Sequence, residues 1–272
     1  MHNKIIWLAS YPKSGNTYLR LLLTNYFYAN EKLNQFELIR KIPKFEKIDT
    51  FENTLKKKIN TNNFDYIKNS LSVQDILCKK LSSQDLIFKT HHFYGSLDGH
   101  RFTSSKYTKF FIYIVRDPRE VLVSYAFHSG MSIDDCFKVF VDKNISHKKK
   151  FETIIRWDYH YKSWKSFKDV SNIIIKYEDL ISDTENVFFK ILKKMSTIAQ
   201  FSIDTAKIKK AIKENEFKVL KKLEKKIKFH ESSNNNFFRS GQKDSWKKIL
   251  STNQIKIIEK EFEKEMKELG YL

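Results

Sequence analysis

Three short segments carry residue types whose spacing could do chemistry. The first is Ser10-Tyr11-Pro12-Lys13-Ser14-Gly15-Asn16-Thr17, followed by Tyr18. A glycine-containing turn between a strand and a helix offers backbone N–H groups to an anion, and the helix dipole reinforces them. Lys13 adds a full positive charge, and the Ser14 and Thr17 hydroxyls add donors. The loop is shorter than GxxxxGK[ST], so a nucleoside triphosphate is not its natural ligand. Alone, the turn reads as well as an ordinary strand–helix connection. The apolar run before it and the helical spacing after it favour a phosphate. The second segment is Val115-Arg116-Asp117-Pro118, with Ser124 eight residues beyond Arg116. An arginine at a strand end can grip a phosphate through two donors. By itself the segment fits a surface pair of Asp117 and Arg119 at a helix start equally well. The third is Arg239-Ser240-Gly241 followed by Trp246-Lys247, which singly is no more than a turn.

Such groups need rigid elements behind them, and the periodicity supplies these. Ile5-Ile6-Trp7-Leu8-Ala9 is a short apolar run bounded by Tyr11-Pro12 and Gly15, and reads as a buried strand. Tyr18, Leu19, Leu22, Leu23, Tyr26 and Phe27 then recur at helical spacing. Leu86-Ile87-Phe88, the run from Phe110 to Val115, and Ile173-Ile174-Ile175 read as further strands. Pro118 opens a helix with Val121, Leu122 and Tyr125 on one face. The spacing also predicts helices over about 151–167, 184–195, 208–226 and 252–269. Residues 30–85 show only short helices and loops, and 228–236 (KFHESSNNN) is polar and expected to be mobile. Apolar strands alternating with helices imply an α/β fold: one three-layer, P-loop-like domain with a central parallel sheet flanked by helices. In such a sheet Arg116 stands on the ligand-binding rim.

Composition narrows the class further. The chain has 272 residues, 51 Lys and Arg against 32 Asp and Glu, and a net charge of +19. Six glycines and three prolines exclude collagenous and linker-rich architectures. Hydrophobic residues make up 41%, enough to exclude global disorder. The apolar stretches are too short to span a bilayer, and no secretory signal is visible, so a cytoplasmic protein is expected. Cys78 and Cys136 have neither disulfide-framework nor metal spacing. The positive charge fits nucleic acid, an anionic membrane surface or an anionic cofactor. It lies largely in lysine blocks such as 56–58 and 148–150, which read as solvated helix faces. A basic nucleic-acid-binding protein is the alternative from another class, but no RNP, KH, zinc or helix-turn-helix pattern accompanies the charge. A kinase-like phosphotransferase fails on the short loop and on the missing magnesium-binding carboxylate.

Taken in order, the segments resemble the PAPS-dependent sulfotransferase family. Its 5′-phosphosulfate loop has the form YPKSGTTW, and residues 11–18 read YPKSGNTY. Its 3′-phosphate segment is an arginine at a strand end with a serine eight residues on, matched by Arg116 and Ser124. Its RKG…WK signature is matched by Arg239-Ser240-Gly241 and Trp246-Lys247. Lys89-Thr90-His91 matches a KTH strand end, and Tyr177-Glu178-Asp179 a YED segment. The matches span residues 5–271, implying one sulfotransferase-like domain over 1–272. Asn16, Tyr18 and Ser240 stand where the family has Thr, Trp and Lys, the last a partner of the 3′-phosphate. The family's short dimerisation signature is absent, which leaves the oligomeric state open.

The resemblance implies transfer of a sulfuryl group from 3′-phosphoadenosine 5′-phosphosulfate to a hydroxyl or amine of a small-molecule or glycan acceptor, without a metal. Nucleic acid is not an expected partner. Such a transfer needs a base for the acceptor proton and a cation for the leaving phosphate. His91 is implied as the base; the resemblance, not the spacing, selects it over His92. Lys13 is implied to stabilise the leaving phosphate, restrained by Ser124 until the sulfonate is engaged; Lys89, polar at the edge of its strand, is expected to support the site. Lys13, Ser14, Gly15, Asn16, Thr17 and Tyr18 are expected around the donor's 5′ end. Arg116, Ser124, Arg239, Ser240 and Gly241 are expected at its 3′-phosphate, and Tyr177 and Phe217 at the adenine.

Overall fold

Every residue of strand β1 (Ile5–Ser10) is buried, as expected of a strand with no polar face. In the computed structural model β1 pairs in parallel with β2 (Leu86–Thr90) on one side and β3 (Thr108–Val115) on the other. β3 in turn pairs in parallel with β4 (Ser171–Lys176), giving the order β2-β1-β3-β4. The structure describes residues 4–29, 31–60, 63–80, 86–143, 147–149, 152–231, 237–238 and 244–272. The expected central parallel sheet flanked by helices is therefore present.

Alternation along β1 and β3 feeds two separate cores. Ile5, Trp7 and Ala9 join Phe111, Tyr113 and Val115 on one face. There they meet α3 (Pro118–Ser129) and α4 (Trp157–Lys165), whose Val121, Trp157 and Trp164 are fully buried. Ile6 and Leu8 join Phe110, Ile112 and Ile114 on the other. That face is covered by α1 (Asn16–Tyr28) and α5 (Thr184–Ala199) through Leu19, Leu22, Leu23, Phe188 and Ile191. The strands therefore hold their ends rigidly, since each large side chain lost from such a core costs about 3–5 kcal/mol.

Several helices differ from the sequence expectation, each for a local reason. The helix expected over 151–167 is α4 alone, preceded by a short strand at Glu152–Ile154. The stretch 208–226 is two helices, α6 (Thr205–Glu214) and α7 (Phe217–Lys226). Asn215 breaks them: it is fully buried, and its amide donates to the Ala211 and Leu21 carbonyls. The last helix also breaks, at Phe262, between α8 (Thr252–Glu261) and Glu263–Glu268. The Phe262 ring is buried against Trp157 and Phe140. Residues 30–85 contain an 18-residue helix, α2 (Asn63–Lys80). Its buried face includes Ser70 and Gln74, which bond to the Phe102 carbonyl, so its apolar period is interrupted.

β1 is the strand at which the chain reverses its order of addition, first to β2 on one side, then to β3 and β4 on the other. In open parallel sheets a crevice opens at the carboxyl ends of strands flanking such a reversal. The turn after β1 and Arg116 after β3 both lie there.

Candidate active site

The turn from Tyr11 to Gly15 is tight and conformationally unusual. Lys13 adopts φ +67° and Gly15 φ +98°, both in the left-handed region. A Cβ on Gly15 would lie 2.2 Å from the Tyr177 ring, so both the torsion and the close approach require glycine. Gly15 caps α1 without a side-chain hydrogen bond, and no acidic residue occupies the first turn. The amino end of α1 is thereby left for an anion. Ser14 is fully buried, and its Oγ has no hydrogen-bond partner among the described residues. An orphaned buried hydroxyl at a helix amino end is a group an oxyanion would satisfy. Asn16 turns inward, donating to the Leu8 carbonyl at 2.9 Å and to Ser10 Oγ at 3.2 Å. What it can offer a ligand from this position is its backbone N–H.

Arg116 closes the other side. Its guanidinium donates to the Lys13 carbonyl at 3.1 Å and to Glu120 at 3.3 Å, and stacks 4.5 Å over the Tyr177 ring. Arg116 Nε is buried and unpartnered among the described residues, a second orphan beside the turn. Glu120 also accepts from Ser245 Oγ and from the Trp246 backbone N–H, each at 3.1 Å. One carboxylate therefore joins the arginine segment to the C-terminal Trp246 segment. Trp246 in turn lies under Arg119, 4.0 Å from ring to guanidinium. The Asp117–Arg119 pair is buried rather than a surface contact, and Arg119 also reaches Glu259. Ser124 is half-buried on α3. Arg239, Ser240 and Gly241 lie outside the described residues, as does 232–236 of the polar segment.

His91 follows β2 and meets the last residue of β1. Its Nδ1 lies 2.8 Å from the Ser10 carbonyl and 3.3 Å from Ser10 Oγ. A carbonyl can only accept, so Nδ1 carries the proton and Nε2 carries the basic lone pair. Burial, aided by the charges of Lys89 and Lys44, holds the imidazole well below its ordinary pKa. The ring is thus neutral at pH 7. The His91 carbonyl accepts from His160 Nε2 at 3.0 Å, and the Tyr113 hydroxyl donates to His160 Nδ1 at 2.8 Å. His160 is itself kept neutral by burial, with its pKa lowered to about 3. His92 turns into the aromatic core, its ring stacked on Phe93 and Phe102 at 4.6 and 4.7 Å.

The remaining expected residues lie around these two groups. The Lys13 ammonium rests over the Phe237 ring, 4.4 Å from its centroid. Tyr18 is half-buried in the first turn of α1. Phe217 opens α7 and is 37% exposed, 6.5 Å from Phe238. Glu178 of the YED segment is structural: it accepts from the Asp117 N–H and from the Tyr271 hydroxyl. Sequence reasoning missed Glu120, His160, Arg20 and Glu231, all of which act through partners far away in the chain.

This arrangement sets a left-handed strand–helix turn with an orphaned hydroxyl beside a neutral, half-buried histidine at the sheet's switch point. The sulfotransferase domain family model matches residues 3–270, so the chain belongs to the sulfotransferase family and is an enzyme of that class. Luciferin sulfotransferase of Photinus pyralis is 26% identical over 269 residues, covering 92% of this chain and 68% of the relative. The 3-beta-hydroxysteroid sulfotransferase of Cavia porcellus is 35% identical over 89 residues, 29% of either chain. Among solved structures, mouse sulfotransferase SULT7A1 complexed with PAP superposes with a TM-score of 0.63 at 19% identity, covering 97% of this chain and 84% of that one. Retinol dehydratase in a complex with retinol and PAP gives a TM-score of 0.66 at 18% identity, covering 98% and 82%. Both likenesses concern the fold, which is the P-loop-like fold expected from the strand–turn–helix. Among the described residues no helix is long and apolar enough to cross a membrane.

Proposed function

We propose that this chain transfers the sulfuryl group of 3′-phosphoadenosine 5′-phosphosulfate to a hydroxyl-bearing acceptor, releasing adenosine 3′,5′-bisphosphate (PAP). His91 Nε2 takes the acceptor proton as the acceptor oxygen bonds to sulfur. The bond from sulfur to the bridging oxygen breaks, and its electron pair stays on the departing phosphate. Lys13, the Ser14 hydroxyl and the N–H groups of residues 15–17 compensate that charge. Arg116, with Ser124 and Arg239, takes the 3′-phosphate; Tyr177 and Phe217 border the adenine. The observation that carries this reading is the Ser10–His91 hydrogen bond of 2.8 Å. It fixes the basic nitrogen and ties the base to the residue from which the anion turn springs.

PAP in the two solved structures supports the donor, and the retinol and hydroxysteroid printed for two of the relatives favour small hydroxylated acceptors. Within this reading residues 1–272 form one sulfotransferase-like domain working in the cytoplasm, with neither nucleic acid nor a metal taking part. The test is transfer from sulfur-labelled donor to a panel of phenols, alcohols, amines and sugars. Wild-type protein labels at least one acceptor class, and His91→Ala lowers that rate by about two to four orders of magnitude. Full activity in His91→Ala would remove His91 from the chemistry.

A further inference from the structure

Glu231 approaches the amino end of α1 from a distant part of the chain, between α7 and the Phe237 that covers Lys13. Its Oε1 lies 2.6 Å from Arg20 Nη1. Its Oε2 lies 3.3 Å from Lys89 Nζ and 3.5 Å from the Thr17 hydroxyl. Arg20 is 1% exposed, and its other nitrogens are spent on the Ile39 and Ile42 carbonyls. Only Nη1 is thus directed at the carboxylate, three residues along α1 from Thr17. Lys89 is nearly buried, two residues before His91 on β2. Burial alone would raise the Glu231 pKa, but Lys89 and Arg20 outweigh it and hold the carboxyl far below its usual range. The carboxylate is therefore ionised at neutral pH.

Thr17 belongs to the turn that receives the donor's phosphate, and Lys89 stands beside the base. An oxygen held by both stands where a donor oxyanion would. We propose that Arg20, Lys89 and Thr17 form an oxyanion subsite of the donor site, filled by the Glu231 carboxylate until the donor's phosphate or sulfonate oxygens displace it. Carboxylate and donor are both anionic, so the two cannot share the three groups without like-charge repulsion in a poorly solvated place. Each binding event then includes the cost of displacing Glu231, which lowers the apparent affinity by the fraction of time the subsite is free. Arg20 is assigned to the donor site by this geometry alone, since no motif contains it.

The proposal rests on the donor reading above, and two probes separate their failures. Calorimetric titration of wild-type protein, Glu231→Gln and Glu231→Asp would use adenosine 3′,5′-bisphosphate and, separately, inorganic sulfate. The amide keeps the size and removes the charge, so Glu231→Gln binds both probes about tenfold more tightly than wild type. Glu231→Asp keeps the charge but shortens the reach, and falls between. Unchanged or weaker binding of both probes by Glu231→Gln overturns the proposal while wild-type recognition of the bisphosphate stands. Should neither protein take the bisphosphate, the donor reading fails. The sulfate titration still decides the subsite: a gain in Glu231→Gln supports it, and none overturns it.

Discussion

At the scale of single residues, the site turns on which histidine nitrogen is free. The Ser10 carbonyl holds the Nδ1 proton of His91, and burial keeps the ring neutral below its ordinary pKa. In the proposed mechanism the neutral ring is the base, so activity is lost only as pH falls through the depressed value. The acid limb of a kcat/KM profile is therefore expected below pH 6.5, not across pH 6–7 as an unperturbed imidazole would give. A midpoint at 6.5 would mean that the ring is solvated. The same burial has a stability consequence through His160. Its folded pKa of about 3 lies below the unfolded value, so the unfolded chain binds the extra proton first. Stability is then complete above about pH 6.5 and falls as pH drops towards 3, by about 2 kcal/mol at pH 5 from this residue. Denaturant titrations at pH 7 and pH 5 check this, with His160→Gln showing the shallower dependence. His92 sits in the aromatic core, so His92→Ala should lower the melting temperature while leaving kcat of the folded enzyme near wild type. Equal loss of kcat in His91→Ala and His92→Ala would contradict the separate roles.

At the scale of elements, the turn between β1 and α1 is the part least tolerant of change. Gly15→Ala meets both a left-handed torsion and the Tyr177 ring. It should cost more than about 1–2 kcal/mol in stability and weaken nucleotide binding, as a melting curve and a titration would show together. Wild-type behaviour in both would mean that the turn has room to relax. This turn and all four strands of the main sheet were legible in the sequence, because buried parallel strands are written as continuous apolar runs and the turn as a glycine and proline cluster. Helix ends were less legible. Asn215 and Phe262 end helices because of what they touch across the fold, contacts that a local period does not record. The Asn63–Lys80 helix was missed because Ser70 and Gln74, polar by type, face inward onto a carbonyl. Within the candidate site, Lys13, Arg116 and His91 were legible through motifs, whereas Glu120, His160 and Arg20 each have a partner at least 69 residues away (Trp246, His91 and Glu231) that no local motif records.

At the scale of the molecule, the parallel order β2-β1-β3-β4 brings three distant segments to one crevice. The turn after β1, Arg116 after β3 and His91 after β2 are far apart in the chain, Lys13 and Arg116 by 103 residues, yet one rim holds them. Glu120 then fastens the C-terminal Trp246 segment to the Arg116 segment, so the two form one connected frame beside the turn. The net charge of +19 raises the affinity of any anion in dilute buffer, and salt screens that general field. A specific donor site must discriminate beyond it. The most direct measurement is thus the affinity for adenosine 3′,5′-bisphosphate against that for AMP at physiological salt. Recognition of the 3′-phosphate by Arg116, Ser124 and Arg239 requires the bisphosphate to bind well over tenfold more tightly, a difference of about 1.4 kcal/mol or more. Equal affinity for the two nucleotides would contradict the account.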